Sequence, residues 1–399
     1  MSTEESSLGY PGWRVVALAF GLAVASWSLA FYGPGIYLLV LHRQHGWPIA
    51  DISALITAYF FSSAIVTAFI GDTIARFGSR NVVVFGLAAL CLGAAAMGQV
   101  TAFWQLVPAF AILGLGWACA NTAVINAIVA PWFRHRVGLA INLAMNGAST
   151  GGIVMAPLFT LLHSEMGFGP TSAAIAAAAF MLLIVPAYLL LGREPGCGSP
   201  AVSGTRAGIA PLRRATLLRS RSFLTISIGF ALALTAQVAF LTHQLSYLTP
   251  QIGAGLAAAG VSIATFAAIV GRMIAGLVVD RLGGRPIAAL NFALQAVAIS
   301  MMIIAPSMAT LLAGCALFGL AVGNVTSLYG ILTHQEFPAA HTARIVSLLV
   351  AINQVSFSFG PGIVGWLRDH SGSYRDALVF CVVLELLAIV VVLSGLRRR

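Results

Sequence analysis

The chain contains no lysine, and charge of either sign is scarce: its 21 basic residues are all arginine, its acids number 11, and charged residues make up 8% of 399 positions. A water-soluble globular chain carries about 25% charged residues, so there is too little polar surface here to cover a soluble core. Cysteine is sparse as well. Cys91, Cys119, Cys197, Cys315 and Cys381 form no CxxC pair and have no nearby histidine, which excludes a disulfide framework and a bound metal. Four of them lie inside apolar runs, where cysteine behaves as a small hydrophobe. A basic cleavable leader is missing too: the start, MSTEESSLGYPGW, is acidic and polar, so the first apolar run is expected to stay in the mature protein. Arginines fall in short clusters between apolar runs, with no basic helix or aromatic RNA-binding motif, and nucleic acid is excluded as a partner. The histidines are dispersed and the acids sit mainly at loop ends, with no nucleophile–base or metal constellation. Neither a cofactor nor enzymatic activity is expected.

What the chain has in excess is apolar sequence, 59% of all residues. The solvent that fits is the bilayer, since a spanning helix needs about 20 mostly apolar residues. Runs between charged or Pro/Gly breaks predict twelve spans, near 13–41, 50–71, 80–100, 104–129, 137–162, 170–192, 222–248, 256–279, 286–305, 308–332, 343–367 and 375–396. The expected fold class is therefore an all-α integral membrane protein of twelve transmembrane helices in two six-helix bundles. Residues 1–192 form the N-terminal bundle, 193–221 a cytoplasmic linker with six arginines, and 222–399 the C-terminal bundle. With both termini cytoplasmic, Arg14, Arg76, Arg80, Arg134, Arg136, the linker arginines, Arg281, Arg285, Arg344 and Arg397 to Arg399 all fall inside. Only Arg43, Arg368 and Arg375 fall outside. The positive-inside rule selects that orientation, and the expected location is the inner (plasma) membrane.

Two stretches are near copies, GDTIARFGSR at 71–80 and GLVVDRLGGR at 276–285, separated by 276 − 71 = 205 residues. Gly114 and Gly319 share that offset. Both copies follow the second span of a six-span half, as expected of secondary transporters built from internal repeats.

The repeated phrase resembles the G-x-x-x-D-R-x-G-R-R loop signature of the major facilitator superfamily, and six spans, a linker and six spans is that superfamily's layout. The second copy keeps its acid, Asp280, where the first has Ala75, with Asp72 three residues earlier on nearly the same helix face. Further stretches, YPGWRVV, HGWPIADIS, WQL, PWFRHRVGLA and GRMIAGLVVDRLGGR, are similar to the monocarboxylate transporter and oxalate–formate antiporter branch. This resemblance implies a major facilitator fold and a secondary active transporter of a small organic anion. It also implies that Arg272, in span eight, binds the substrate carboxylate. The branch commonly carries an acid one turn earlier, where this chain has Ala268.

The residues point the same way. Arg272 lies eight residues before the cytoplasmic helix end at Asp280, roughly 12 Å deep at 1.5 Å per residue, and an arginine there costs on the order of 2.5–3.5 kcal/mol to insert. A planar, permanently charged guanidinium suits a carboxylate; the competing reading is an ion pair with Glu385. Tyr32, Asn121, Asn146, Tyr329 and Asn353 are further candidate substrate contacts, and His243 and Glu385 are candidate proton carriers. Asp72, Arg76, Arg80, Asp280, Arg281 and Arg285 are read as a cytoplasmic latch. The expected partners are a small monocarboxylate such as lactate or pyruvate, protons and the lipid bilayer, for a monomer working by proton symport and alternating access. Anion exchange of the oxalate–formate type and a transport-inactive membrane sensor are the alternatives.

Overall fold

Every regular element among the described residues is helical. The structure, a computed structural model, describes residue 7 and residues 9–133, 136–192, 217, 220–337 and 342–396, with backbone alone at 276, 277, 279–281, 326, 327 and 342–344. The expected linker, 193–221, thus lies almost wholly outside the described residues. In chain order the helices are α1 Pro11–Ser26, α2 Gly33–His45, α3 Ile49–Ala68, α4 Ile70–Phe77, α5 Ser79–Met97, α6 Leu106–Ala118, α7 Thr122–Val129, α8 Val137–Met166 and α9 Phe168–Leu190. They continue with α10 Arg221–Leu282, α11 Gly284–Ile304, α12 Met308–Glu336, α13 Thr342–Ser358, α14 Gly360–Ser371 and α15 Tyr374–Ser394.

Among the described residues, eleven helical stretches are long and apolar enough to cross a bilayer. The sequence predicts twelve, and α10 explains the difference. Its 62 residues contain Gly253 at φ 79°, ψ 161°, a backbone that breaks the helix. At 1.5 Å per residue the uninterrupted element would be about 93 Å long, three times the hydrocarbon thickness of about 30 Å, so the break divides it into two crossings.

Contacts divide the chain into two compact units, one of Met1–Val40 with Ser62–Thr205 and the other of Leu41–Phe61 with Arg206–Arg399. In the first unit α1 lies against α8 so closely that a Cβ on Gly147 would sit 2.2 Å from the Phe20 carbonyl oxygen. In the second, a Cβ on Gly319 of α12 would sit 2.1 Å from the Ala264 carbonyl oxygen of α10. Small residues permit such backbone approach where burial of apolar surface gives no advantage over lipid.

The repeated phrase now has a backbone reason. Gly78 has φ 80°, ψ 151°, and Gly283 has φ 83°, ψ 157°. This region is open essentially to glycine alone, and each residue turns the chain from one helix into the next. Every positive-φ residue among those described is a glycine, and Gly167 and Gly372 repeat the 205-residue offset.

Candidate functional site

In the second unit Arg272 is half-buried on α10, and its Nε donates to the Gly323 carbonyl oxygen of α12 at 3.1 Å. The same two helices meet at Ala268, whose carbonyl oxygen would lie 2.2 Å from a Cβ on Gly323. The close approach therefore depends on the missing Cβ of Gly323, and Ala268 itself is 5% exposed. Glu385, on α15, is fully buried and neither carboxyl oxygen has a hydrogen-bond partner. Asn353 is also buried, with both amide atoms unpartnered. Tyr329 is partly buried and packs its ring edge-on against Phe230 at 5.8 Å, at the margin of the apolar core of the unit.

His243 has partners at both ring nitrogens. It is 1% exposed. Its Nε2 faces the Pro361 carbonyl oxygen at 3.0 Å and Ser53 Oγ at 3.4 Å, and its Nδ1 faces the Tyr374 hydroxyl at 3.2 Å. Ser53 belongs to a seam between α3 and α14 inside this unit. Asp369 Oδ2 accepts from the Ala50 N–H at 2.7 Å, and Thr57 Oγ1 accepts from the Gly362 N–H at 3.0 Å. Each helix thereby satisfies a first-turn N–H that has no partner within its own helix. Phe60 and Phe357 continue the seam edge-on at 5.8 Å. Sequence reasoning finds His243 and misses Ser53, Thr57, Asp369 and Tyr374; the spacing of Ala50, Ser53 and Thr57 along one helix face is the available signal.

In the first unit Tyr32 closes a π-helical turn, Trp27–Tyr32, the kind of wide turn that recurs at functional sites. Its ring is edge-on to Phe31 at 5.3 Å, while Trp27 packs on Trp117 at 4.8 Å. Asn121 is an N-cap: Oδ1 accepts from the Ala123 N–H at 2.9 Å and Nδ2 donates to Thr67 Oγ1 at 2.8 Å. It restarts the helix after the interruption between α6 and α7. Asn146 is half-buried, and its carbonyl accepts from Thr150 Oγ1 at 3.0 Å.

Of the expected latch residues, Asp72 and Arg76 lie on α4, Asp72 exposed, and the Arg76 guanidinium lies 5.3 Å from the Phe77 ring centroid. Arg80 sits 4.8 Å from the Tyr188 ring centroid. The side chains of Asp280 and Arg281 lie outside the described residues. Arg285 is buried in its own unit. Its Nε and Nη2 donate to Glu336 at 2.6 and 2.8 Å, and its Nη1 donates to the Val392 carbonyl oxygen at 2.6 Å and Thr225 Oγ1 at 3.0 Å. Four helices, α10, α11, α12 and α15, meet at this one guanidinium.

Known proteins share this architecture. The fold is similar to that of a mutant of the nucleoside transporter NupG, with TM-score 0.80 and 11% identity over 97% of this chain and all of that one (100%). It is also similar to a bacterial homologue of the human lysosomal transporter Spinster, with TM-score 0.75 and 15% identity over 98% of this chain and 97% of that one. In sequence the chain is 25% identical over 380 residues to MFS-type transporter 1 of Ophiocordyceps sp. (strain BCC 1869), covering 93% of this chain and 82% of that protein. It is 25% identical over 387 residues to monocarboxylate transporter 11 of Mus musculus, covering 93% and 84%. The family model for the Major Facilitator Superfamily matches residues 18–361 and 244–399, and with its membrane-length helices and shared fold the chain belongs to that superfamily, as a multi-pass membrane transporter.

Proposed function

We propose that this transporter moves a small monocarboxylate across the plasma membrane by proton-coupled symport and alternating access, with Arg272 binding the carboxylate. The observation that carries the reading is a half-buried arginine inside a membrane-length apolar helix. Intramembrane charge is costly and marks substrate and ion pathways. The Gly323 carbonyl holds one nitrogen of the guanidinium, which orients a planar group matched to carboxylate geometry. The competing ion pair with Glu385 draws no support, since neither oxygen of Glu385 accepts a hydrogen bond. Kinship with monocarboxylate transporter 11 of Mus musculus supports the substrate class. Residues 1–192 and 222–399 act as the two repeats, joined by a cytoplasmic linker, with Asp72, Arg76, Arg80, Asp280 and Arg281 closing the cytoplasmic side.

Ala268, which puts no acid one turn before Arg272, favours one second reading, anion exchange, in which a returning carboxylate neutralises Arg272 in place of a proton on a neighbouring acid. Counterflow in proteoliposomes over a panel of small mono- and dicarboxylates, with and without a pH gradient, separates the two. Uphill uptake driven by the gradient alone is expected; uptake that requires internal anion and ignores the gradient supports exchange. Arg272→Gln should abolish carboxylate transport and Arg272→Lys should weaken it despite the retained charge. Recovery of uptake in Arg272→Gln combined with Glu385→Gln would reduce Arg272 to a structural role.

A further inference from the structure

We propose that His243 is the proton-binding group of this transporter and that its protonation unlocks the seam between α3 and α14. The inference rests on the reading of the chain as a proton-coupled transporter and adds the group that carries the proton and the contact that responds.

The seat of His243 assigns its protons. The Pro361 oxygen at 3.0 Å can only accept, so Nε2 carries hydrogen in either charge state. The Tyr374 hydroxyl at 3.2 Å can donate or accept. With imidazole neutral, Tyr374 donates to Nδ1; with imidazolium, Nδ1 donates and the hydroxyl turns to accept. A proton therefore enters without loss of either hydrogen bond. What changes is charge, introduced at a site 1% exposed.

The charged groups acting on the ring are Asp369 and Arg368, both on α14. From α15 it meets Tyr374 and from α3 it meets Ser53, and Asp51 on α3 is exposed. Asp369 is already engaged on both oxygens, with Arg368 Nη1 at 2.7 Å and with the Ala50 N–H at 2.7 Å. A cation at His243 competes for this carboxylate. Drawing it inward strips the cap from the start of α3, while Arg368 adds repulsion to the new charge. Acid thus loosens the seam, and by linkage a separated seam binds the proton more readily. The first half of α3 would part from α14 when His243 is charged and settle back once the proton leaves.

Thr57→Cys, in a chain whose five native cysteines are alanine, places a thiol in the seam while keeping a side-chain acceptor there. Its labelling by a membrane-impermeant thiol reagent is measured in proteoliposomes at about pH 5.5 and about pH 8, which bracket the ordinary pKa of a solvated histidine, the state the ring reaches when the seam separates. Each rate is divided by that of Ser373→Cys, an exposed reference. The corrected rate should be several-fold faster in acid, and His243→Gln should remove the difference. Should His243→Gln fail to fold, Asp369→Asn decides, since it should label fast at both pH values. A corrected rate independent of pH with His243 present, a pH dependence unchanged in His243→Gln, or slow labelling of Asp369→Asn would each overturn the proposal. The labelling needs no substrate, so its outcome is independent of whether Arg272 binds a carboxylate. Loss of the carboxylate reading with acid-dependent labelling intact would leave this proposal standing.

Discussion

Arg80 and Arg285 stand at the same place in the two repeats, and each half holds its arginine in a different way. The turn before each is the same: Gly78 and Gly283 adopt φ 80° and 83° with ψ 151° and 157°. Each half also makes room for the guanidinium by omitting a Cβ just past its last helix, since a Cβ on Gly192 would strike Arg80 and one on Gly395 would strike Arg285. Then the halves part. Arg285 is 4% exposed and paired with Glu336, whose counterpart in the first half, 336 − 205 = 131, is Pro131. Arg80 instead lies over Tyr188, whose counterpart, 188 + 205 = 393, is Leu393. Backbone requirements are narrow and are met alike in both copies; a cation can rest against a carboxylate or an aromatic face, and the two halves differ in which they supply.

The largest effect expected from this comparison is at the pair of buried Arg285 and partly buried Glu336. Glu336→Ala leaves the Arg285 charge uncompensated and should cost about 3–5 kcal/mol, whereas replacing both partners by apolar residues should recover most of it. Thermal unfolding in detergent measures both, and a Glu336→Ala chain as stable as the parent would mean the pair braces nothing. Next come the turns. Gly78→Ala and Gly283→Ala force alanine into a glycine-only region at about 1–3 kcal/mol each. The two losses should be equal within error, so a clear inequality would break the equivalence of the halves. The smallest effect belongs to the aromatic solution. Tyr188→Leu, which writes the second half's residue into the first, should cost about 0.5–2 kcal/mol, and a loss as large as that of Glu336→Ala would show that the first half relies on its arginine equally.

How far the site is legible in the sequence follows the same division. Arg272 is legible because a single charge in an apolar run needs no knowledge of neighbours to be conspicuous. His243 is legible as a polar group in a span, but its role is not, since Pro361, Tyr374 and Ser53 lie 118, 131 and 190 residues away in the chain. Asn121 reads as a substrate contact, while its side chain caps α7 and bonds Thr67; nothing local distinguishes a cap inside a membrane span from a ligand. Arg285 groups with the latch by its motif, and Glu336, its carboxylate partner, escapes notice because the pair spans 51 residues.

By itself the sequence determined residence in the bilayer, the number of crossings, the internal repeat and the one arginine set deep in a span. These are properties of composition and local order: mean apolarity over about 20 residues, a recurring phrase, a charge against its background. Only the tertiary structure decided which groups meet. It set residues 41–61 into the unit of the second half, brought Asp369 onto the start of α3 across 319 residues, left both carboxyl oxygens of Glu385 without a hydrogen bond among the described residues and chose Tyr188 for Arg80. Hydrogen bonds and ion pairs form only within about 3–4 Å, and which distant side chains come that close is settled by how the helices pack.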